Sequence, residues 1–322
     1  MLDQLVAQLQ QASSLTQKQD IQTAARRLGQ WVAHPYTDEA IDLGDDCAAI
    51  PQGDGFLLLA AEGIWPQLVQ EDPWFAGWCA VMVNISDIYA MGGYPLAVVD
   101  ALWSQTPEET RPIWDGMTAA SRTFNVPIVG GHSNYHSPYS ALAVSILGQA
   151  KTLITSFNAQ PNDVLLLAVD LDGQAHPKYP FWNAATHKDG ATLQANLKIL
   201  PTLAERGWCD AGKDVSMGGL IGTLLMLLET SGVGARLILD DVPAPKGLPL
   251  SQWLLSFPSY GFLLSVRPER VSDVQALFQD RAIACEAVGQ VVSGDGLMLE
   301  LGDESLPFWN LHRQPLTGFA PS

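Results

Sequence analysis

Apolar residues recur along this chain at two periods, and the switch between them marks out its elements. At the start, Leu2, Leu5, Val6 and Leu9 repeat at helical spacing. They predict a helix from Leu2 to about Ala33, broken near Ser13 and Ser14. The run GFLLLAA, Gly55 to Ala61, predicts a buried strand. Trp78 to Met91 returns to helical spacing and ends at Gly92-Gly93, a natural helix stop. Tyr94 to Trp103 reads as a strand. Glu108 to Phe124 reads as a helix, with Thr106 as N-cap and Pro107 in its first position. The apolar run Val126 to Val129 predicts a short strand stopped by Gly130-Gly131, and Ala141 to Leu147 another. Strands and helices therefore alternate through the first half, an α/β or α+β pattern.

The polar stretch from Thr152 to Asp163 is the best candidate boundary, dividing the chain into 1–152 and 153–322. Beyond it, VLLLAVDL (164–171) predicts a strand. The segment 176–187 is irregular and rich in aromatics and proline. A long helix is expected from Gly218 to Thr230, a further helix near 269–280, and strands near 236–240, 260–266 and 296–301. They complete a second α/β unit.

Length and composition fit this picture. The 322 residues are 47% hydrophobic and 16% charged, enough to bury a large core. Thirty-four acidic residues against 17 Lys and Arg leave a net charge of −17, which excludes a nucleic-acid footprint or an anionic membrane surface. A bound phosphate compound would need backbone N–H groups, helix N-termini or divalent cations to offset that field. Cys47, Cys79, Cys209 and Cys285 form no C-x-x-C pair and read as buried apolar residues. No signal-peptide core and no apolar run of membrane-spanning length is present, so a soluble, cytoplasmic protein is expected.

Four stretches carry candidate chemistry. LGDDCAAI places Asp45 and Asp46 side by side, either as ligands of a hard cation or as a surface turn. In VNISDIYAMGG, Asn84 and Asp87 share a face of an otherwise apolar helix, where a carboxylate needs a partner. In IVGGHSN, His132 follows Gly130 and Gly131 as a metal ligand, a phosphate contact or a turn residue. In GKDVSMGGL, Ser216 reads as the cap of a glycine-started helix, with Asp214 near its N-terminus. Neither G-x-x-x-x-G-K-[ST] nor G-x-G-x-x-G occurs.

In this order and spacing, the four stretches resemble the aminoimidazole-ribonucleotide-synthetase-like superfamily, over roughly Gly44 to Gly302. GDDCA and the NxSDIxAMGG helix look most like thiamine-monophosphate kinase. GGHSN is more like selenophosphate synthetase, and DVSMGGLIGTL resembles the second-domain helix start of the whole group. The resemblance implies an N-terminal α/β domain contributing strands to a barrel at a dimer interface and a C-terminal ferredoxin-like α+β domain. It also implies ATP and Mg²⁺ in the cleft and a small-molecule phosphoryl acceptor. Carried over by position, Asp45, Asp46, Asp87 and Asp214 match acidic, metal-holding positions, and Glu62 stands where the kinase carries aspartate. Asn84, Gly130, Gly131 and Ser216 match the nucleotide side of the site.

Departures from the kinase pattern shape the expected function. His132 replaces an aspartate after Gly-Gly, Met217 replaces an acidic residue, and SYGFLL (259–264) replaces a later acidic strand start. The expectation is ATP- and Mg²⁺-dependent phosphoryl transfer by a divergent member, with His132 contacting phosphate or acceptor. The alternative is a non-catalytic nucleotide- or metabolite-binding protein on the same scaffold, and a third reading is a pure assembly protein. Lys213 reads as solvated or as a phosphate contact, and Trp65 and Trp74 as core packing or as the lining of a lid or dimer contact. Phe181 and Trp182 read as part of an acceptor pocket or as an aromatic plug. His34, His136, His176 and His312 read as surface or loop residues.

Overall fold

The computed structural model describes residues 2–257 and 261–321. The N-terminal helical stretch is shorter than its pattern suggested. It comprises Leu2–Gln10, Ser13–Thr16, a 3₁₀ turn Gln17–Ile21 and Gln22–Leu28. Gly29, at φ 81°, ends it by turning the chain into a conformation other residues avoid. Trp31–Ala33, expected in the helix, is instead a strand paired antiparallel with Ala40–Asp42.

Five strands form the first sheet, in the order Ala48–Gln52, Gly55–Ile64, Ala141–Ala150, Tyr94–Trp103, Ile128–Asn134. Every pair is antiparallel except the last, which is parallel. Two helices, Pro73–Ala90 and Pro107–Phe124, pack against one another and over the inner face, where Leu58, Val98, Leu102, Val144 and Ile146 are buried. Asp72 and Thr106 accept hydrogen bonds from Phe75 N–H and Glu109 N–H and cap the two helices, each worth about 1 kcal/mol. The helices cross at Gly77 and Gly116. A Cβ on Gly116 would lie 1.9 Å from the Trp74 carbonyl, and one on Gly77 2.1 Å from that of Ile113. On the outer face Leu59, Val99, Val129 and Leu147 are exposed. The sheet is open, and no closed barrel forms among the described residues.

The glycines of IVGGHSN do not stop their strand. Ile128–Asn134 continues through them, held extended by parallel pairing of Gly130 with Val99 and Gly131 with Asp100.

Seven strands form the second sheet, in the order Ala211–Asp214, Gly261–Val266, Val164–Val169, Ala284–Val292, Gly234–Ile238, Gly296–Leu301, Glu304–Asn310. Its third strand, Val164–Val169, reads as one unbroken apolar run because both faces are covered. Leu165, Leu167 and Val169 point to the core around the Gly219–Ser231 helix. Leu166 and Ala168 point to the one around Leu200 and Phe278. The strand expected near 260 begins at Gly261, and Ser259 and Tyr260 lie outside the described residues.

Candidate functional site

Three elements converge on one cleft of about 1180 Å³. The loop before Ala48–Gln52 brings Asp45 and Asp46, turned by Gly44 at φ 109°. The Pro73–Ala90 helix brings Asp87, on the same face as Val83 and Cys79 one and two turns earlier. The strand Ala211–Asp214 brings Lys213 and Asp214 at its end.

Carboxylate oxygens of Asp46, Asp87 and Asp214 lie within 4.8 Å of one another. At an effective dielectric of about 20, each pair of full charges that close repels by roughly 3 kcal/mol. The group escapes this cost only by binding protons or a cation. Burial, reinforced by Asp214 and Glu62, holds the Asp87 carboxyl well above the usual carboxylate range. Burial and the Asp46 charge push Asp214 up to about 7. The Asp46 carboxyl is likewise raised by burial, against the pull of Lys213. One oxygen of Asp87, Oδ2, is buried without a hydrogen-bond partner among the described residues. A hard cation that prefers oxygen ligands fits this donor set.

Lys213 is not solvated, as the sequence suggested, but buried. Its Nζ lies 3.1 Å from Asp45 and 2.6 Å from Asp46. Burial alone would lower its pKa, and the Asp46 and Asp45 charges more than offset that and raise it. Asp45 is further held by Ser156 N–H at 2.6 Å and Asp46 N–H at 2.9 Å. It ties the acidic loop to the second sheet and stands apart from the three-carboxylate cluster. Glu62 is exposed at the cleft rim.

Ser216 lines the cleft but caps no helix. Gly218 occupies the N-cap position of Gly219–Ser231, and the Ser216 N–H donates to Thr223 Oγ1. Asp214 ends a strand five residues before that helix begins. Asn84 is fully buried, donates to the Ala80 carbonyl at 2.8 Å and is not part of the cleft lining. Gly130, Gly131 and His132 also lie outside the cleft of their own chain. His132 is exposed on the edge strand, with its ring 6.5 Å from that of Trp103. Gly131 has a local reason to be glycine, since a Cβ there would sit 2.0 Å from Asp100 Oδ1, whereas Gly130 faces open space.

The cleft lining also has an apolar part, which includes Ile64, Trp65, Pro180, Phe181, Met217 and Phe257. Trp65 is therefore a half-exposed cleft residue and does not belong to the core. Phe181 enters the core of the five-stranded unit and Trp182 that of the seven-stranded one, so the aromatic segment acts as a plug between them. His176 lies in a loop, as expected, and its ring stacks on Phe75 and Tyr179.

Sequence reasoning missed the part of the cleft lining supplied by segments near the two ends of the chain. Lys18, Thr317 and Phe319 line the cleft. Lys18 is only 9% exposed, and its pKa is lowered by burial and by Lys213, against the opposing pull of Glu62 and Asp214. A lone lysine in the polar run SSLTQKQD carries no signal that it will be buried.

Comparison with known proteins follows this geometry. The family description "AIR synthase related protein, N-terminal domain" matches residues 44–150, and its C-terminal counterpart matches 164–302. An uncharacterized protein of Synechocystis sp. is 58% identical over 99% of both chains. The selenide, water dikinase of Aeromonas salmonicida is 29% identical, over 81% of this chain and 76% of its own. Among solved structures, Thermotoga maritima PurL complexed with ADP superposes with a TM-score of 0.73 at 15% identity. That match covers 95% of this chain and 52% of PurL, so the chain spans about half the length of that relative. With both domains matched in order over most of its length, the chain belongs to the AIR synthase related family.

Proposed function

We propose that this protein is an ATP- and Mg²⁺-dependent enzyme that phosphorylates, or activates with ATP, a small molecule. The observation that carries this reading is the buried triad Asp46, Asp87 and Asp214 within 4.8 Å, in a cleft of about 1180 Å³. That volume exceeds the ~300–1,000 Å³ of an ordinary small-molecule pocket, so a nucleotide and an acceptor fit together. Relatives support it, since structures of PurL hold ADP and ATP. Asp46, Asp87 and Asp214 would hold Mg²⁺, flanked by Asp45 and Glu62, and the ion would neutralise phosphate charge. The protein's own part is to orient the phosphate chain and exclude water, with little need for a side-chain nucleophile.

The reading extends to assembly. The domains divide at 152/153, the second with the ferredoxin-like pattern. A second copy covers the exposed apolar face of the open five-stranded sheet, closing a barrel across a homodimer. Gly130, Gly131 and His132 then reach phosphate or acceptor across that interface, with Asn84 supporting the nucleotide side from within. The setting is the cytoplasm. No helix among the described residues is long and apolar enough to cross a membrane.

ADP release with candidate acceptors, wild type against Asp87→Asn, tests the chemistry. A thermal-shift titration with millimolar ATP and Mg²⁺ tests binding, because a ligand of the folded state raises its stability. Binding without turnover would support the non-catalytic reading, which Met217 in the cleft lining favours. No shift and no ADP release would overturn both.

A further inference from the structure

Two lysines are buried against the carboxylates, and they differ in what they hold. The charge of Lys213 is committed, because Asp45 and Asp46 both lie within salt-bridge distance. Lys18 makes one hydrogen bond, from Nζ to Ser216 Oγ at 3.3 Å, and no ion pair among the described residues. An ammonium carries three donors, and burying one with most of them idle is costly unless a partner arrives. Lys18 lies in the cleft lining with Glu62, Asp214 and Ser216.

The fold holds Lys18 there firmly. Leu15, one turn earlier, is fully buried, and its Cδ2 rests where a Cβ on Gly218 or Gly222 would come within 3.1 or 3.2 Å. Two glycines of the DVSMGGLIG stretch thus make room for the N-terminal segment. The C-terminal segment clamps it from the other side. Gln22 donates to the carbonyls of Pro315 and Leu316. Glu229, 1% exposed, accepts from Leu316 N–H, Thr317 N–H, Thr317 Oγ1 and Gly318 N–H at 2.6–3.2 Å. Phe319 packs onto Gly44, where a Cβ would lie 2.6 Å from it. These end segments lie outside the stretches 44–150 and 164–302 that match the family. The lysine is therefore supplied by chain that the family motifs do not include.

We propose that Lys18 is a phosphate-contacting residue, its ammonium binding non-bridging oxygens of the phosphate chain of a nucleoside triphosphate held in this cleft. The proposal rests on the ATP-dependent reading above and adds a named cation to it. A compact ammonium suits a phosphate chain that also meets carboxylate-bound metal, because it adds positive charge without competing for the carboxylates that Lys213 already occupies.

The test is calorimetric binding, with Mg²⁺, of ATP, adenosine and inorganic tripolyphosphate to the full chain and to Lys18→Met, Lys18→Gln and Lys18→Arg. Losing one charge-assisted contact should weaken ATP and tripolyphosphate by about tenfold or more in Lys18→Met, with adenosine affinity unchanged. Lys18→Arg, which keeps the charge, should recover part of the loss. Lys18→Gln serves if the methionine variant misfolds, and melting without ligand checks that each variant is folded. Affinity for ATP within twofold of wild type would overturn the proposal, as would equal weakening of ATP and adenosine, the mark of a collapsed cleft. Wild-type binding of tripolyphosphate but not ATP would sink the nucleotide reading alone, and Lys18 would then be judged on tripolyphosphate. Wild type binding neither would overturn both.

Discussion

The strands Ala211–Asp214 and Ile128–Asn134 are both edge strands, and each carries an ionisable residue close to glycine. Ala211–Asp214 pairs on one side with Gly261–Val266, yet all four of its residues are buried. Its open edge is covered near the start by Thr155, which bridges to Ala211, and its end meets the acidic loop at Asp45 and Asp46. Ile128–Asn134 pairs on one side with Tyr94–Trp103, and five of its seven residues, Val129–Ser133, are exposed. The difference teaches that a chemistry-bearing stretch acquires its role from what covers it. Covered, Lys213 and Asp214 have shifted pKa values and fixed partners. Uncovered, His132 is an exposed imidazole on an open strand edge.

Three measurements press on this contrast, and the largest effect belongs to the buried strand. Lys213→Met leaves Asp45 and Asp46 side by side without their shared cation. We expect a loss of about 3–5 kcal/mol in urea unfolding, as for other broken buried pairs. A loss below about 1 kcal/mol would show that the strand end is not sealed from water.

An intermediate effect is expected from pH. Asp214 titrates near 7 when folded and near the ordinary 3.8 when unfolded, so between those values the folded state binds more protons. Stability without divalent cation is therefore fully retained at the acid end and falls as pH rises toward 7. Added Mg²⁺ should cancel the fall, and Asp214→Asn should flatten it. A metal-free melting temperature that rises from pH 5 to 7, in wild type but not in this variant, would reverse the assignment.

The smallest effect is at the exposed edge. His132→Ala should leave stability within about 0.5 kcal/mol, as for other surface changes. ADP release should still drop severalfold if a second copy brings this edge to the cleft. Unchanged turnover in a demonstrated dimer would remove His132 from the chemistry.

Much of the fold was legible locally. Tyr94–Trp103 and the Pro107–Phe124 helix with its Thr106 cap follow from period, cap and proline alone. Strands Ala48–Gln52, Ala211–Asp214 and Glu304–Asn310 were not read, because short stretches broken by proline, glycine or charge show no alternation. The expected helix across Trp31–Ala33 failed because pairing with Ala40–Asp42 outweighs local pattern. Of the site, Asp87 was legible as a charge too costly to place on an apolar helix without a purpose, whereas Asp46 read equally as a surface turn and Asp214 as a neighbour of a helix cap, and only the family resemblance marked those two as acidic site positions. Lys18 and Phe319 were not, since nothing within several residues of either distinguishes it from surface chain.

By itself, the sequence determined the alternation of elements, the acidic balance and the order of motifs that places the chain in its family, because these depend on neighbours a few residues apart. Tertiary structure alone decided which charges meet. It set Lys213 between Asp45 and Asp46, brought Lys18 across some two hundred residues to Ser216, and left His132 on an open edge. The physical reason is that burial and electrostatic partnership are properties of surfaces pressed together, and one residue's identity fixes only half of each contact.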